Sequence, residues 1–281
     1  MKAKRVLVTG VVAATLVLGL AACGLKSGGA ADPNQPLTVM ADVTPHSQLL
    51  KKAEELGLLG DVKLKITEIS GAVDPNQLVK SGDIDANFFQ HKPFLSDWNA
   101  KNGGNLITAG GIHLEPLGLY SKKVGKVEEL PSGASIAIPQ DPTNMARALF
   151  LLQDAGLITM NVKPDDPKLD YSQISTKNVS GNPKNIQFLE IDRPQLAATL
   201  DDPKVSMSII NGNYALEAGL APEKDAKHLE KAENNPYVNY VVTRPELQND
   251  PRIKKLTEAL ASQQIKDYIK TTYKGAVLPA Q

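Results

Sequence analysis

Cysteine and aromatic residues are scarce in this sequence of 281 residues. There is one cysteine, Cys23, and aromatic residues make up 5% of the chain. A single cysteine excludes an internal disulfide and a zinc site built from several thiolates. Net charge is lacking as well, because 31 acidic residues balance 31 basic ones, so nothing indicates a nucleic-acid-binding protein. With 42% hydrophobic residues, the chain can form one large domain or two of ordinary size.

Long hydrophobic runs are absent except near the N-terminus. There, a basic start at 1–5 precedes an apolar run at 6–20 and the pair Ala21 and Ala22. The run contains glycine and threonine and falls short of the ~20 apolar residues that a membrane-spanning helix needs. A basic start, a short apolar stretch and small residues before a cleavage site are typical of an export signal. We therefore predict a signal peptide at 1–22.

The cysteine directly follows this stretch. The segment 20–24, Leu-Ala-Ala-Cys-Gly, resembles the lipobox of bacterial lipoproteins, which implies that a lipid is attached to Cys23 and that cleavage occurs just before it. Residues 23–36 then form a flexible tether, and the lipid holds the protein at the cell membrane, facing outside the cytoplasm. Cleavage leaves 259 residues with 28 basic and 31 acidic side chains. The alternative is an ordinary signal peptide followed by an incidental cysteine.

From residue 37 onward, short β-rich runs alternate with amphipathic helical patterns. The predicted strands are 37–41, 62–66, 106–109, 117–120, 135–138, 186–191, 205–210 and 238–243. The first predicted helix has Thr44 as its N-cap and ends at residue 57. The other predicted helices are 76–80, 94–101, 143–155, 195–200, 214–218 and 251–272. This alternation favours an α/β fold with mostly parallel sheets, which bind ligands at the carboxyl ends of strands or between domains.

Motifs of common enzyme classes are missing. The sequence contains no HExxH, no phosphate-binding P-loop, no GxSxG and no GxGxxG. The four histidines do not recur at metal-ligand spacing, and Cys23 is assigned to the lipid. We therefore predict a protein that is not an enzyme and that uses neither a cofactor nor a metal ion.

Three of the five phenylalanines lie close together, at Phe88, Phe89 and Phe94, beside His91. Aromatic ring faces and a neutral imidazole can enclose an apolar or thioether side chain, since sulfur contacts aromatic rings favourably. The cluster is therefore a candidate for one wall of a ligand site. A core cluster at a strand-to-helix junction is the alternative.

Arg147 and two asparagines are candidates for the polar end of such a site. Arg147 lies one turn into a predicted helix, where a guanidinium and the helix dipole both attract a carboxylate. Asn211 follows an apolar strand and Asn239 lies inside one, and an amide both donates and accepts hydrogen bonds, as a zwitterionic amino acid requires. The alternatives are a surface ion pair of Arg147 with Asp141 or Asp154, and a bond from Asn239 to the backbone.

Several short motifs follow one another along the chain. They are GDIDAN at 82–87, FQHKP at 89–93, HLEP at 113–116, LYSKK at 119–123, PQDPTN at 139–144 with Arg147, Asn211 with Tyr214, and NPYVN at 235–239 with Thr243 and Arg244. Together they resemble the methionine-binding lipoproteins, the substrate-binding subunits of bacterial methionine importers (the MetQ/NlpA family). The motifs span most of the chain beyond the signal peptide, and FQHKP with DPTN is highly specific.

The resemblance implies a type II periplasmic-binding-protein fold. Two α/β lobes are joined by two crossover strands, and the ligand lies in the cleft between the lobes. On this sequence the first lobe is 37–117 plus 240–281, and the second is 121–228. The crossovers that act as hinges are 118–120 and 229–239.

The resemblance also implies roles for the polar candidates. Arg147 is expected to bind the ligand carboxylate, and Asn211 and Asn239 to hydrogen-bond its amino and carboxylate groups. Glu115 and Asn144 are weaker candidates, because members of the family differ around them.

For the side-chain end, the resemblance implies a pocket lined by Phe89, His91 and Phe94. One departure is Ala72, which stands where many relatives carry an aromatic residue. The loss of a ring opens one wall of the pocket. L-methionine is the expected ligand, and D-methionine, a methionine-containing dipeptide or another amino acid are the alternatives.

The expected partners follow from the same resemblance. A membrane permease receives the ligand, a separate ATPase supplies the energy, and the binding protein itself is a monomer that contacts no nucleic acid. A surface adhesin lipoprotein without a transport role is the competing hypothesis from a different functional class.

Overall fold

The computed structural model describes residues 34–164, 166 and 168–280, which form a mixed α/β fold. The strands are β1 (Leu37–Ala41), β2 (Leu64–Glu68), β3 (Ala86–His91), β4 (Ile107–Leu114), β5 (Gly118–Tyr120), β6 (Ser135–Pro139), β7 (Thr159–Met160), β8 (Val179–Gly181), β9 (Gln187–Ile191), β10 (Met207–Ile210), β11 (Ala226–Leu229), β12 (Asn239–Thr243) and β13 (Leu278–Pro279). The first large sheet has the order β13-β4-β12-β3-β1-β2, and the second has the order β11-β5-β10-β6-β9. Strands β7 and β8 pair separately.

Both large sheets contain antiparallel as well as parallel strands, so the prediction of mostly parallel sheets is wrong. Four of their nine strand pairs are parallel. Strand β12 lies antiparallel to β3 and β4, and β5 lies antiparallel to β10 and β11. Apolar alternation identifies a strand but not its direction, which depends on how the chain returns between the two sheets.

Eight α-helices lie within the described residues. They are α1 (Gln48–Glu55), α2 (Pro75–Ser81), α3 (Lys92–Asn102), α4 (Pro142–Asp154), α5 (Gly212–Glu217), α6 (Pro222–Asp225), α7 (Pro251–Leu260) and α8 (Gln263–Tyr273). Helix α4 begins where the sequence predicts, because the Asp141 carboxylate accepts a hydrogen bond from the Asn144 N–H and Pro142 occupies the first turn.

Three helix predictions are wrong in detail. Thr44 does not cap α1, which begins only at Gln48, after a loop with a cis peptide bond between Thr44 and Pro45. The helix predicted at 251–272 is two helices, because Ser262 accepts a hydrogen bond from the backbone N–H of Ile265 and starts α8 anew. The segment predicted as a helix at 195–200 forms the short 3₁₀ helices Arg193–Gln195 and Ala197–Asp201.

Each large sheet has a hydrophobic core of its own. Around the first sheet, buried Phe88 packs in one cluster with Leu256 of α7 and Ile269 of α8, so the C-terminal helices cover this sheet. Around the second sheet, Ile136 and Leu149 of α4 belong to a separate cluster. The fold therefore has two halves, each a sheet with its own helices.

The chain passes between the two sheets twice, after β4 and after β11. The predicted crossover at 118–120 coincides with β5, and the one at 229–239 is the irregular link from β11 to β12. The lobe boundaries and the hinge role of these segments stay predictions.

Within the described residues, no helix has the length and apolar character needed to cross a bilayer. The predicted signal peptide at 1–22, Cys23 and the predicted tether as far as residue 33 lie outside the described residues.

Candidate ligand-binding site

One edge of each sheet contributes to a common cavity. Glu115 follows the end of β4, His91 ends β3, Asn211 follows β10, and Asn239 begins the antiparallel strand β12 at the same edge. Carboxyl ends of strands gather loop residues in this way, which is why α/β folds bind ligands there. The cavity is lined by His46, Phe89, Gln90, His91, Phe94, Glu115, Arg147, Arg193, Asn211, Gly212, Asn213 and Asn239.

Seven of the nine candidates from the sequence line this cavity. They are Phe89, His91, Phe94, Glu115, Arg147, Asn211 and Asn239. Asn144 is fully buried directly behind the lining, where it contacts His91 and Asn211. Ala72 is exposed in the turn between β2 and α2 and is not part of the lining.

Arg147 is the buried cation of the cavity, with 3% of the residue exposed. Its Nε donates to a carboxylate oxygen of Glu230 at 2.9 Å, and its Nη2 bonds the same carboxylate and the backbone oxygen of Glu115. The guanidinium lies 4.4 Å from the ring centre of Tyr237. The ion pair with Asp141 or Asp154 weighed from the sequence does not form. Among the described residues, Nη1 has no hydrogen-bond partner, so it is available to a ligand.

Asn144 organises the polar side of the cavity. Its Nδ2 donates to Asp141 at 2.9 Å, which directs its Oδ1 toward the cavity lining. That oxygen accepts a hydrogen bond from Asn211 Nδ2 at 2.9 Å. The Oδ1 of Asn211 is then left buried and without a partner among the described residues. A buried acceptor without a donor costs free energy, so this oxygen calls for an N–H group from a ligand.

His91 is held neutral in one tautomer. Its Nδ1 accepts a hydrogen bond from the backbone N–H of Phe94, which requires that nitrogen to be unprotonated. Its Nε2 lies 3.3 Å from the Oδ1 of Asn144 and therefore carries the proton. Burial, reinforced by the charge of Arg147, lowers the pKa of His91 to about 3. A neutral imidazole presents an uncharged wall to the cavity.

Aromatic rings also line the cavity. Phe89 and Phe94 meet edge to face with their ring centres 5.9 Å apart, and His91 lies 5.0 Å from Tyr237. Such rings offer polarisable, apolar surface to an aliphatic or thioether side chain. Polar groups and aromatic rings thus lie within one enclosure.

Glu115 is buried beside two histidines. His113 is its near neighbour in the sequence, and His46 lies far from both. Its Oε1 lies 2.7 Å from Nε2 of His113 and 3.4 Å from Nε2 of His46. Burial raises the pKa of Glu115 and lowers the pKa of His46 to about 4 and that of His113 to about 3. Both rings are therefore neutral; His113 donates from Nε2 to the Glu115 carboxyl group, and His46 donates from Nε2 to the Oδ1 of Asn239 at 3.3 Å.

His46, His113 and Glu115 each offer an atom that could bind a metal ion, and these atoms lie within 4.8 Å of one another. The spacing of the histidines in the sequence does not predict a metal site. A metal ion on Nε2 would shift each ring proton to Nδ1. The Nδ1 of His113 has no hydrogen-bond acceptor among the described residues. The arrangement therefore fits a hydrogen-bonded cluster better than a metal centre.

A second arginine, Arg193, lines a part of the cavity where it makes contacts different from those of Arg147. It follows β9, lies 5.0 Å from the ring centre of Phe94, and approaches Asp141 Oδ2 with its Nε at 3.1 Å. Beside it, Asp42 accepts a hydrogen bond from Asn213 at 3.2 Å, and burial raises the pKa of Asp42 to about 7. This part of the cavity is polar, which the sequence did not reveal.

Comparison with known proteins places the chain in a family. A model of the NlpA lipoprotein family matches residues 37–281. The methionine-binding lipoprotein MetQ of Bacillus subtilis (strain 168) is 37% identical over 262 residues, which cover 92% of this chain and 93% of that protein. The chain belongs to the NlpA lipoprotein family.

Solved structures of similar proteins agree with this membership of the NlpA family. A nutrient-binding protein from Burkholderia cenocepacia bound to methionine has a TM-score of 0.80 and 34% identity, covering 87% of this chain and all of that one. A periplasmic substrate-binding protein of an ABC transporter from Coxiella burnetii has a TM-score of 0.79 and 35% identity, covering 87% of this chain and all of its own. The prediction of a two-lobed, α/β substrate-binding protein is confirmed.

Five lining residues of this NlpA-family cavity were not predicted from the sequence. They are His46, Gln90, Arg193, Gly212 and Asn213. Two signals could have found most of them. His46 and Arg193 follow β1 and β9, at the strand ends where ligand sites form, and the other three lie within two residues of a predicted one.

Proposed function

We propose that this protein is the substrate-binding lipoprotein of an ABC importer, and that its cavity captures methionine. The observation that carries the proposal is the pairing of a donor and an acceptor inside one aromatic-lined enclosure. Arg147 and Asn211 both line it; the Oδ1 of Asn211 is buried without a partner, and the Nη1 of Arg147 makes no hydrogen bond with the described residues. The related proteins named for methionine supply the identity of the ligand.

At the backbone end of the ligand, Arg147 binds the carboxylate through Nη1. Glu230 neutralises the guanidinium from behind and fixes its orientation, so that an ordered donor meets the ligand. Asn211 Oδ1 accepts a hydrogen bond from the α-ammonium group, and Asn239 lies beside it in the lining. The two groups together recognise the zwitterion.

At the side-chain end, Phe89, Phe94 and the neutral ring of His91 surround the thioether. A charged imidazole would be unfavourable against an apolar chain, and the low pKa of His91 prevents that charge at neutral pH. Because Ala72 lies in the exposed turn outside the lining, the missing ring there leaves this enclosure intact.

Transport then follows from closure of the two halves around the ligand. The lobes are 37–117 plus 240–281 and 121–228, with 118–120 and 229–239 as hinges. His91 in the first sheet and Asn144 on α4 approach each other across the cleft, so a ligand that contacts both sides favours the closed form. A membrane permease receives the ligand, and a separate ATPase supplies the energy.

The remaining parts of the proposal concern the anchor. Cys23 carries the lipid after removal of residues 1–22, and the monomeric protein faces outside the cytoplasm at the membrane surface. It catalyses no reaction. Mass spectrometry of the membrane fraction tests the anchor, since the Cys23→Ala variant should lose the lipid mass and be released from the membrane.

Calorimetry of the ligand-free protein tests the binding function. We expect L-methionine to bind, and we expect Arg147→Met to weaken this binding by about 100-fold, because it removes a buried partner of a charged group. Arg244→Met is the matched control, because Arg244 also pairs with a carboxylate, that of Asp85, yet does not line the cavity. Unchanged affinity in a folded Arg147→Met protein would refute the site, and D-methionine titrated in parallel gives the stereochemical preference.

A further inference from the structure

Arg193 is fixed at the wall of the cavity from two directions. Its Nε lies 3.1 Å from Asp141 Oδ2, and its guanidinium carbon lies 5.0 Å from the ring centre of Phe94. About a fifth of the side chain is exposed, 22%, so the group is largely withdrawn from solvent. These contacts leave the arginine with little conformational freedom, and its guanidinium is therefore a preorganised feature of the site.

The guanidinium of Arg193 has N–H donors that make no hydrogen bond with the described residues. Its Nη1 and Nη2 make no hydrogen bonds with any of the described residues, although Arg193 lines the cavity. Arginine carries five N–H donors and no acceptor, so these nitrogens can donate to water or to an acceptor atom of a ligand in the cavity. A thioether sulfur is a weak acceptor and satisfies them poorly.

The surrounding charges decide which acceptor fits. The carboxylates that act on Arg193 are those of Asp141, Asp42 and Asp192. Glu115, in the same lining, also feels its charge. Asp141 and Asp192 together carry more negative charge than the single guanidinium neutralises, so a further negative charge on a ligand side chain would be repelled. A neutral oxygen acceptor avoids that repulsion and still receives the N–H donors.

The two arginines serve different ends of the ligand. Arg147 contacts Glu230, Tyr237 and the backbone of Glu115. Arg193 contacts Phe94 and Asp141 instead, so the two guanidinium groups share no side-chain contact. With the carboxylate of an amino acid on Arg147, its side chain extends past the aromatic rings toward Arg193.

We propose that the cavity also takes α-amino acids of about methionine's length whose side chain ends in a neutral oxygen acceptor, and that Arg193 is the residue that selects them. A carboxamide, as in glutamine, is the representative of this ligand class. The proposal rests on the proposed function, because it assumes that Arg147 holds the amino-acid carboxylate in the same cavity.

Calorimetry with L-methionine, L-glutamine and L-glutamate tests the proposal on wild-type protein and on Arg193→Met. Methionine at 193 keeps an unbranched chain against Phe94 and removes the guanidinium with its donors, its charge and its ion pair with Asp141. We expect glutamine to bind the wild type, and glutamate, its anionic analogue of equal size, to bind at least tenfold more weakly. In Arg193→Met, we expect glutamine affinity to fall at least tenfold further than methionine affinity, because only glutamine loses a strong N–H donor.

The outcomes separate this proposal from the proposed function. Binding of methionine without binding of glutamine would overturn the proposal and leave the methionine function standing. An equal loss of both ligands in Arg193→Met would also overturn it, because Arg193 would then act on closure or on the shared backbone end. Arg147→Met should lose both ligands; if it loses neither, the proposed function fails together with this inference.

Discussion

The Nε2 of His91 lies 3.3 Å from the Oδ1 of Asn144, and this contact joins the first sheet to the helix beside the second. Asn144 is 0% exposed, and it also accepts a hydrogen bond from Asn211. One amide oxygen therefore positions a residue from the aromatic wall and a residue from the polar end. The orientation of both lining residues therefore depends on Asn144, which does not itself line the cavity.

Replacing this amide should weaken both fold and binding. Asn144→Ala leaves the N–H groups of His91 and Asn211 without their acceptor, so we expect the free energy of unfolding to fall by about 1–3 kcal/mol. Methionine affinity should fall about tenfold or more, because Asn211 is no longer oriented. Urea denaturation and calorimetry measure the two effects. Asn249→Ala, at an exposed asparagine whose side chain makes no hydrogen bond with the described residues, is the control and should change neither.

Glu230 should matter for binding although it is not part of the cavity lining. It holds two nitrogens of Arg147, and Gln at this position keeps the size but removes the charge. We expect Glu230→Gln to weaken methionine binding about tenfold, since the guanidinium loses its orientation and its neutralising partner. Glu233→Gln, an exposed change in the same segment, should bind methionine as the wild type does. Equal affinity of both variants would show that Arg147 needs no positioning.

Asp42 should make stability depend on pH. Burial raises its pKa from 3.8 to about 7, opposed by Arg193 and supported by Glu115 and Glu217. Between about pH 4 and 7, the folded protein therefore keeps a proton that the unfolded chain releases. The free energy of unfolding falls as pH rises through this range, because ionising a buried Asp42 costs more than ionising it in the unfolded chain. Asp42→Asn cannot ionise, so its stability relative to the wild type should grow from near zero at pH 4 to about 1–3 kcal/mol at pH 8.

Urea denaturation of the wild type and Asp42→Asn at pH 4, 6 and 8 measures this difference. Comparing two proteins at each pH removes the effects of the buried histidines, which titrate in both. Curves that stay parallel across the whole range would show that Asp42 is ionised in the folded protein at neutral pH.

A matched pair of caps tests the corrected helix boundaries. Ser262 accepts a hydrogen bond from the Ile265 N–H at the start of α8, so Ser262→Ala should lower the free energy of unfolding by about 1 kcal/mol. Thr44 makes no such bond to α1, and Thr44→Ala should have a much smaller effect. Thermal unfolding followed by circular dichroism distinguishes the two; an equal loss would support the helix start predicted from the sequence.

Much of the site could be predicted because local sequence carries the information. The Asp141 cap and the apolar face of α4 place Arg147 one turn into a helix, and strand patterns place Asn211 just after β10. Phe89 and His91 belong to one strand, so their proximity follows from the chain itself. These features need no knowledge of how distant segments meet.

The rest depends on tertiary contacts that periodicity does not encode. Glu230 meets Arg147 across 83 residues, and His46 meets Asn239 across 193. Such pairs are set by the order and direction of strands, which the apolar pattern leaves open. Arg193 was missed for the same reason, because its contacts with Asp141 and Phe94 join distant parts of the chain, and its position after β9 alone does not show that it lines a cavity.

A crystal structure of the protein with L-methionine tests the central claim most directly. We predict that a ligand carboxylate oxygen lies within hydrogen-bonding distance of Arg147 Nη1 and that the ammonium group lies on Asn211 Oδ1. The thioether should lie between Phe89, His91 and Phe94. Methionine bound outside this cavity, or bound with its carboxylate away from Arg147, would contradict the account.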